Sequence, residues 1–228
     1  MGGSPSSSHV QPDGPVGVLA LQGSFPLHLR SLERLGLEGR RVRKPEDLVG
    51  LSGLILPGGE STVMSLLMQK YELMEPIRQL GREGLPMFGT CAGAILLGHG
   101  EGPPPRLALA PVELLRNAYG AQVDSFTADL KLKIHEAPFH AVFIRAPKIV
   151  GVGTKAELVL SGSKKASVEV LGRHEGTPVL VEAENYLLST FHPELTDDLR
   201  VHEHFVARCA ARRRAPAPEG GAAMGGEF

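Results

Sequence analysis

The chain has 228 residues, with 25 acidic against 24 basic side chains and a formal charge of −1. That balance offers no general attraction to nucleic acid or to an anionic membrane, and the length suits one α/β domain with a sizeable core rather than two. No apolar run approaches a membrane span and the start, Met1 to Ser8, lacks the basic and apolar regions of a signal peptide, so a soluble, cytoplasmic protein is expected. Its two cysteines, Cys91 and Cys209, form no disulfide framework and are expected as free thiols.

Gly, Ser and Pro dominate residues 1–15, and Ala, Pro and Gly residues 214–228, which reads as two disordered tails around one domain at 16–213. The domain opens with a buried strand over 16–21, then Gln22-Gly23 and a helix over 26–35 whose apolar positions are Leu29 and Leu32. A strand follows at 39–43. Leu54-Ile55-Leu56 is a short buried strand that stops at Pro57-Gly58-Gly59-Glu60-Ser61-Thr62, and helical spacing resumes over 63–70 and 73–82. A strand and helix flank Cys91. Beyond it, strands are expected at 107–114, 121–126, 142–144, 168–171, 179–181 and 187–190, part of them antiparallel. A last helix over 197–211 has Leu199, His202, Phe205, Val206 and Cys209 on one face, so Cys209 reads as core. Alternating strands and helices predict a three-layer, doubly wound α/β fold, with a mostly parallel sheet between helices.

The chemistry concentrates at Phe88-Gly89-Thr90-Cys91-Ala92-Gly93, where a cysteine is flanked by glycine at minus two and plus two, between an apolar strand and an apolar helix. This is the pattern of a nucleophile elbow: the sharp turn strains the central residue, and the glycines omit Cβ atoms that would collide. The following helix dipole favours thiolate. A base is offered by Phe191-His192-Pro193-Glu194. Pro193 biases His192 towards an extended backbone, so Glu194 projects to a similar side and is placed to hold one ring nitrogen while the other serves Cys91. The Gly58-Gly59 turn and the amide of Ala92 are suited to an oxyanion hole. Nine histidines are present, but His202 and His204 diverge on a helix and His135 and His140 have no evident partners, so no metal and no cofactor are expected. Arg212, Arg213 and Arg214 read as a solvated helix end.

With these residues in place the sequence resembles the glutaminase subunits of pyridoxal 5′-phosphate synthase, within the class I, triad-type glutamine amidotransferases. The matching segments are Leu19-Ala20-Leu21-Gln22-Gly23, Leu56-Pro57-Gly58-Gly59-Glu60-Ser61-Thr62, the Cys91 elbow, Arg116-Asn117 with Gln122-Val123-Asp124-Ser125-Phe126, Val142-Phe143-Ile144-Arg145-Ala146-Pro147, and Phe191-His192-Pro193-Glu194-Leu195-Thr196. They occur in family order over nearly the whole folded part. The resemblance implies a nucleophile at Cys91, a base and later acid at His192 and an orienting carboxylate at Glu194. It implies L-glutamine held by Gly59, Glu60, Ser61, Arg116, Ile144 and Arg145, with Arg116 and Glu60 charge-matched to the α-carboxylate and α-ammonium. It further implies a (β/α)8-barrel synthase partner that receives ammonia for vitamin B6 synthesis, and low activity of the isolated chain. The chain departs from the family in having Ala121 where an arginine is usual, and in a longer, less familiar segment at 148–178. Another amidotransferase is the principal alternative. A cysteine peptidase or stress-response protein of the same elbow fold usually carries histidine after the cysteine, where Ala92 stands, and a non-catalytic subunit is disfavoured by the intact Cys91, His192 and Glu194.

Overall fold

The computed structural model describes residues 11–116, 125–152 and 167–212. The expectations at Ala121, Asn117 and Gln122, most of both tails, and residues 153–166 of the long segment lie outside them.

Four short strands, β1 (Val16–Leu19), β2 (Gly39–Val42), β3 (Gly53–Leu56) and β4 (Met87–Thr90), pair in parallel, with helices between them: α1 (Phe25–Arg34), α2 (Ser61–Lys70) and α3 (Met74–Arg82). Helix α4 (Ala92–Leu97) leaves β4 through Cys91. The small strands β5 (Val112–Leu115), β6 (Ser125–Leu130), β7 (Phe139–Ile144) and β8 (Lys148–Val152) form two antiparallel pairs, β5 with β8 and β6 with β7. Strands β9 (Val168–His174), β10 (Thr177–Ala183) and β11 (Tyr186–Ser189) rejoin the main sheet, whose order is β2-β1-β3-β4-β11-β10-β9. Helix α5 (Arg200–Arg212) closes the domain.

Alternation along the strands divides the core into two layers. Leu54, Leu56, Met87 and Leu188 face the cluster under α2, α3 and α4, whereas Ile55, Phe88 and Leu187 face the one under α1 and α5. Both faces of the central strands are therefore buried, which is why they read as unbroken apolar runs. β11 is parallel to β4, with Leu187 opposite Phe88 and Ser189 opposite Thr90. The register brings the chain after both strands to one sheet edge.

Three expectations need correction. The strand predicted over 107–114 exists only from Val112. Before it, Leu107 and Ala108 donate backbone bonds to Leu96, and Leu109 and Ala110 to Leu97, so this stretch satisfies the carbonyls at the end of α4 instead of entering a ladder. Ala108 takes φ 51° on the way. The last helix begins at Arg200, after a 3-10 turn at Pro193–Leu195, so Leu199 precedes it and Val201 and Ala210 join His202, Phe205, Val206 and Cys209 in the core. The segment after Lys148 contains β8, a strand missing from the predicted set. His135 and His140 hydrogen-bond to Arg200 at 2.9 Å and to Asp129 at 2.9 Å, and among the described residues neither belongs to a group placed to hold a metal ion. As expected, Cys209 is core, and burial pushes its thiol up to about 12.

Gly53 shows how closely α5 sits on β3: a Cβ there would stand 2.4 Å from Cys209 Sγ and 3.0 Å from Phe205. Gly53→Ala should lose about 1–3 kcal/mol of stability from overpacking. In a denaturation cycle with Cys209→Ala, the double variant should be less destabilised than the sum of the singles by at least ~0.5 kcal/mol, because the second change removes the clashing sulfur; strict additivity would show that the contact is not tight.

Candidate active site

Cys91 follows β4 with φ 47° and ψ −100°, a strained backbone for a residue with a side chain. The turn closes because its neighbours lack Cβ atoms. A Cβ on Gly89 would lie 2.6 Å from the carbonyl carbon of Gly93, and one on Gly93 would lie 2.0 Å from the Leu56 carbonyl oxygen. The Cys91 N–H donates to Ser189 O at 2.8 Å, tying the elbow to β11, while its thiol lies 3.7 Å from Ile144 O.

His192 follows β11 and is anchored by its N–H to Val142 O at 2.8 Å. Its backbone is fairly extended (φ −107°, ψ 87°) before the 3-10 turn, and that turn swings Glu194 back beneath the ring. His192 Nδ1 donates to Glu194 Oε1 at 2.8 Å, and the Glu194 side chain is fully buried. Burial alone would depress the imidazolium, but Cys91 and the Glu194 carboxylate outweigh it and raise its pKa to about 10. For Glu194 burial pulls the other way; His28 and His192 prevail and hold the carboxyl well below its usual range.

A cleft of about 170 Å³ is lined by Gly59, Glu60, Ser61, Cys91, Ala92, Ile95, Arg116, Ile144, Arg145 and His192. It thus brings together every predicted site residue except two. Glu194 lies behind His192, and Gly58 lies against the ring, where a Cβ would approach His192 Cε1 to 2.2 Å. Ile95, one turn into α4, is a lining residue that the sequence reading passed over. Glu60 caps α2, accepting from the N–H groups of Thr62 at 3.2 Å and Val63 at 2.8 Å, and pairs with Arg116 at 3.3 Å. Desolvation works against its charge, but these donors and Arg116 keep its pKa lowered. Arg116 also donates to Pro103 O at 3.1 Å, whereas Arg145, at φ 44°, has no hydrogen bond or ion pair among the described residues.

Two further residues complete the site, and motif reading did not single them out. Ser24 Oγ donates to Glu194 Oε1 at 2.6 Å, and its N–H donates to Gly58 O at 3.0 Å. His28, fully buried on α1, places Nε2 3.5 Å from Glu194 Oε2. The signal for His28 was its polar character on a helix face that also carries Ser31 and Leu32, both buried. His204 bonds to Glu182 at 2.6 Å, on the other side of α5 from His202, as the helix spacing predicts. Among the described residues no group of His, Cys, Asp and Glu is placed to hold a metal ion, and no helix is long and apolar enough to cross a membrane.

A thiol on an elbow turn, an imidazolium backed by a carboxylate and a glycine turn beside one cleft are what acyl transfer through a thioester requires. The SNO glutamine amidotransferase family matches residues 18–211. The chain is 46% identical over 194 residues to pyridoxal 5′-phosphate synthase subunit PdxT of Desulforamulus reducens, covering 84% of this chain and 97% of that one. It is 48% identical over 203 residues to the subunit of the same name from Thermococcus gammatolerans, covering 85% and 98%. A crystal structure described as a glutamine amidotransferase superposes with TM-score 0.76 at 46% identity, over 86% of this chain and 99% of the other. The PurLQS structure from Thermotoga maritima shares the fold, with TM-score 0.56 at 18% identity over 87% and 95%.

The raised imidazolium of His192 contributes stability that is complete below the ordinary histidine value and is lost as pH rises through about 10. Glu194→Gln removes the carboxylate that helps to hold this proton, so the His192 ring should titrate at least about one unit lower in 15N NMR. An unchanged titration would show that the carboxylate does not hold it.

Proposed function

The chain belongs to the SNO glutamine amidotransferase family, and from that premise we infer that it hydrolyses L-glutamine to L-glutamate and ammonia at the Cys91 cleft, supplying a pyridoxal 5′-phosphate synthase for vitamin B6 formation. The observation that carries the reading is the pairing at one sheet edge of a strained Cys91 with a His192 whose proton is held by buried Glu194. Among relatives whose names state the role, identity extends across nearly their full length.

In the proposed mechanism the Cys91 thiolate adds to the side-chain amide carbon of glutamine. Charge developing on the amide oxygen is met by N–H groups of the Gly58-Gly59 turn and of Ala92. The carbon–nitrogen bond breaks as the His192 imidazolium gives its proton to the departing nitrogen, leaving ammonia and a γ-glutamyl thioester. Neutral His192 then takes a proton from water as the hydroxyl adds to the thioester carbonyl. The carbon–sulfur bond breaks, glutamate leaves, and thiolate and imidazolium are restored. Glu194 keeps the proton on the correct nitrogen throughout. Arg116 and Arg145 supply cations for the substrate α-carboxylate, and Glu60 supplies an anion for the α-ammonium. Ser61 and Ile144 complete the binding wall. Arg116 already pairs with Glu60, so substrate enters between two oriented charges rather than collecting loose ones.

Ammonia released into water at neutral pH becomes ammonium, a poor nucleophile. A partner that takes ammonia directly, a (β/α)8-barrel synthase subunit, therefore fits the chemistry. Docking of that partner orders the oxyanion turn at Gly59, so the chain alone works slowly.

Glutamate release should rise on adding the synthase subunit and vanish in Cys91→Ala. Activity indifferent to the synthase would retain the glutaminase and remove the B6 assignment; no activity in either condition, with folding and glutamine binding intact, would remove the catalytic reading. Arg145→Ala should raise KM by about tenfold or more with kcat within about threefold, since a lost charge-assisted contact to the substrate carboxylate is mainly a loss of uniform binding.

A further inference from the structure

Behind the triad lies a buried polar chain that the reaction as written does not use. His28 on α1 and His202 on α5 are both fully buried, and their rings meet with His28 Nδ1 3.0 Å from His202 Nε2. His28 Nε2 stands 3.2 Å from Thr90 Oγ1, one residue before Cys91, and 3.5 Å from Glu194 Oε2. Phe88 meets both rings edge-on, at 6.2 Å and 6.0 Å. Glu194 Oε1 already accepts from His192 and Ser24, whereas buried Oε2 has no hydrogen bond of ordinary geometry and faces His28.

The tautomers follow from this geometry. If His28 carried its proton on Nδ1, its bare Nε2 lone pair would face the Glu194 carboxylate, and His202 would be left with a buried N–H at Nδ1 that has no acceptor among the described residues. With the protons on the other nitrogens, His202 Nε2 donates to His28 Nδ1, and His28 Nε2–H points at Thr90 and Glu194. Only a bare acceptor is then left over, at His202 Nδ1, and an unsatisfied acceptor is the less costly orphan. Burial favours the neutral form of His202, lowering its pKa to about 3. The charged or titratable groups that meet His28 are Glu194 from the 3-10 turn and His202 from α5.

We propose that His28, fixed in one tautomer by His202, is a positioning residue for glutamine hydrolysis: its Nε2–H edge, bonded to Thr90 Oγ1 and 3.5 Å from the second oxygen of Glu194, braces that carboxylate, and through it the His192 imidazolium against Cys91. The proposal rests on the Cys91, His192 and Glu194 reading above. Such an outer hydrogen bond orients the group that orients the base, and losing one elsewhere commonly costs about 10–100-fold in function.

The test uses two amides that differ in where they place nitrogen. Gln at position 28 carries its amide near the place of Nε2, and Asn near that of Nδ1. The titration of the His192 ring, followed by 15N NMR on the chain alone, reports how firmly Glu194 holds its proton. Glutaminase kcat and KM are read in the presence of the synthase subunit, with thermal midpoints as a check on folding. In wild type the ring should stay protonated up to about pH 10. His28→Gln should keep that profile and kcat within about threefold. His28→Asn should lower the ring's titration by about one pH unit and lower kcat about tenfold with KM within about twofold, since the substrate wall is untouched. Equal profiles for the two variants, either both like wild type or both impaired, would overturn the positioning role. A wild-type His192 ring that titrates at the ordinary histidine value would instead remove the triad reading, and the proposal with it.

Discussion

Cys91 can present its sulfur only from a left-handed backbone, and the surrounding chain is shaped by that demand. A residue with a side chain held at φ 47° costs on the order of 1–3 kcal/mol, which the neighbouring structure must offset. Three features do so. Gly89 and Gly93 leave room for the carbonyls that cross the turn, β4 is pinned between β3 and β11, and the Cys91 N–H is bonded to the end of β11. The last of these also sets the distance to the base. Because β11 runs parallel to β4 with Ser189 opposite Thr90, the residues that follow each strand emerge side by side, and Cys91 and His192, 101 positions apart, share one edge.

The second constraint is electrostatic. A carboxylate with no exposed surface is unfavourable by several kcal/mol unless its oxygens are occupied. Here donors from three elements face Glu194: His192 after β11 and Ser24 before α1 bond to Oε1, and His28 within α1 stands 3.5 Å from Oε2. The ionised carboxylate in turn holds the His192 proton, so the ring is charged before any substrate arrives. Pre-formed charge in a dry site is worth more than the same charge in water, since nothing has to reorganise at the moment of reaction.

The parts of this arrangement that were legible in the sequence are those set by local geometry. An elbow declares itself through glycines at fixed offsets, a strand buried on both faces through an unbroken apolar run, and a base beside a carboxylate through Pro193. The parts that were not legible depend on tertiary contact. Residues 107–111 are apolar enough for a strand, yet they bond to the end of α4, a demand invisible in the segment itself. His28 and Ser24 lie in a helix and its approach whose pattern marks only Leu29 and Leu32, and their importance comes from Glu194, 166 and 170 positions away. A polar residue on a buried helix face was the available sign, but it names no partner. Likewise Glu60 reads equally well as a substrate ligand and as a helix cap, and in the fold its oxygens accept from the first turn of α2 while also facing Arg116.

Ser24 joins the two halves of the chemistry. Its backbone N–H is bonded to Gly58 O, and its hydroxyl lies 2.6 Å from Glu194 Oε1 and 3.3 Å from the same Gly58 oxygen. One hydroxyl proton serves one acceptor at full strength, and the shorter contact assigns it to the carboxylate. Gly58 also lies against the His192 ring, with no room for a side chain between them. The turn that supplies the proposed oxyanion amides therefore cannot move far without disturbing the Ser24 N–H bond and the imidazole face. A change in that turn on partner docking would reach the base through contacts of about 3 Å, with no need for a longer path through the core.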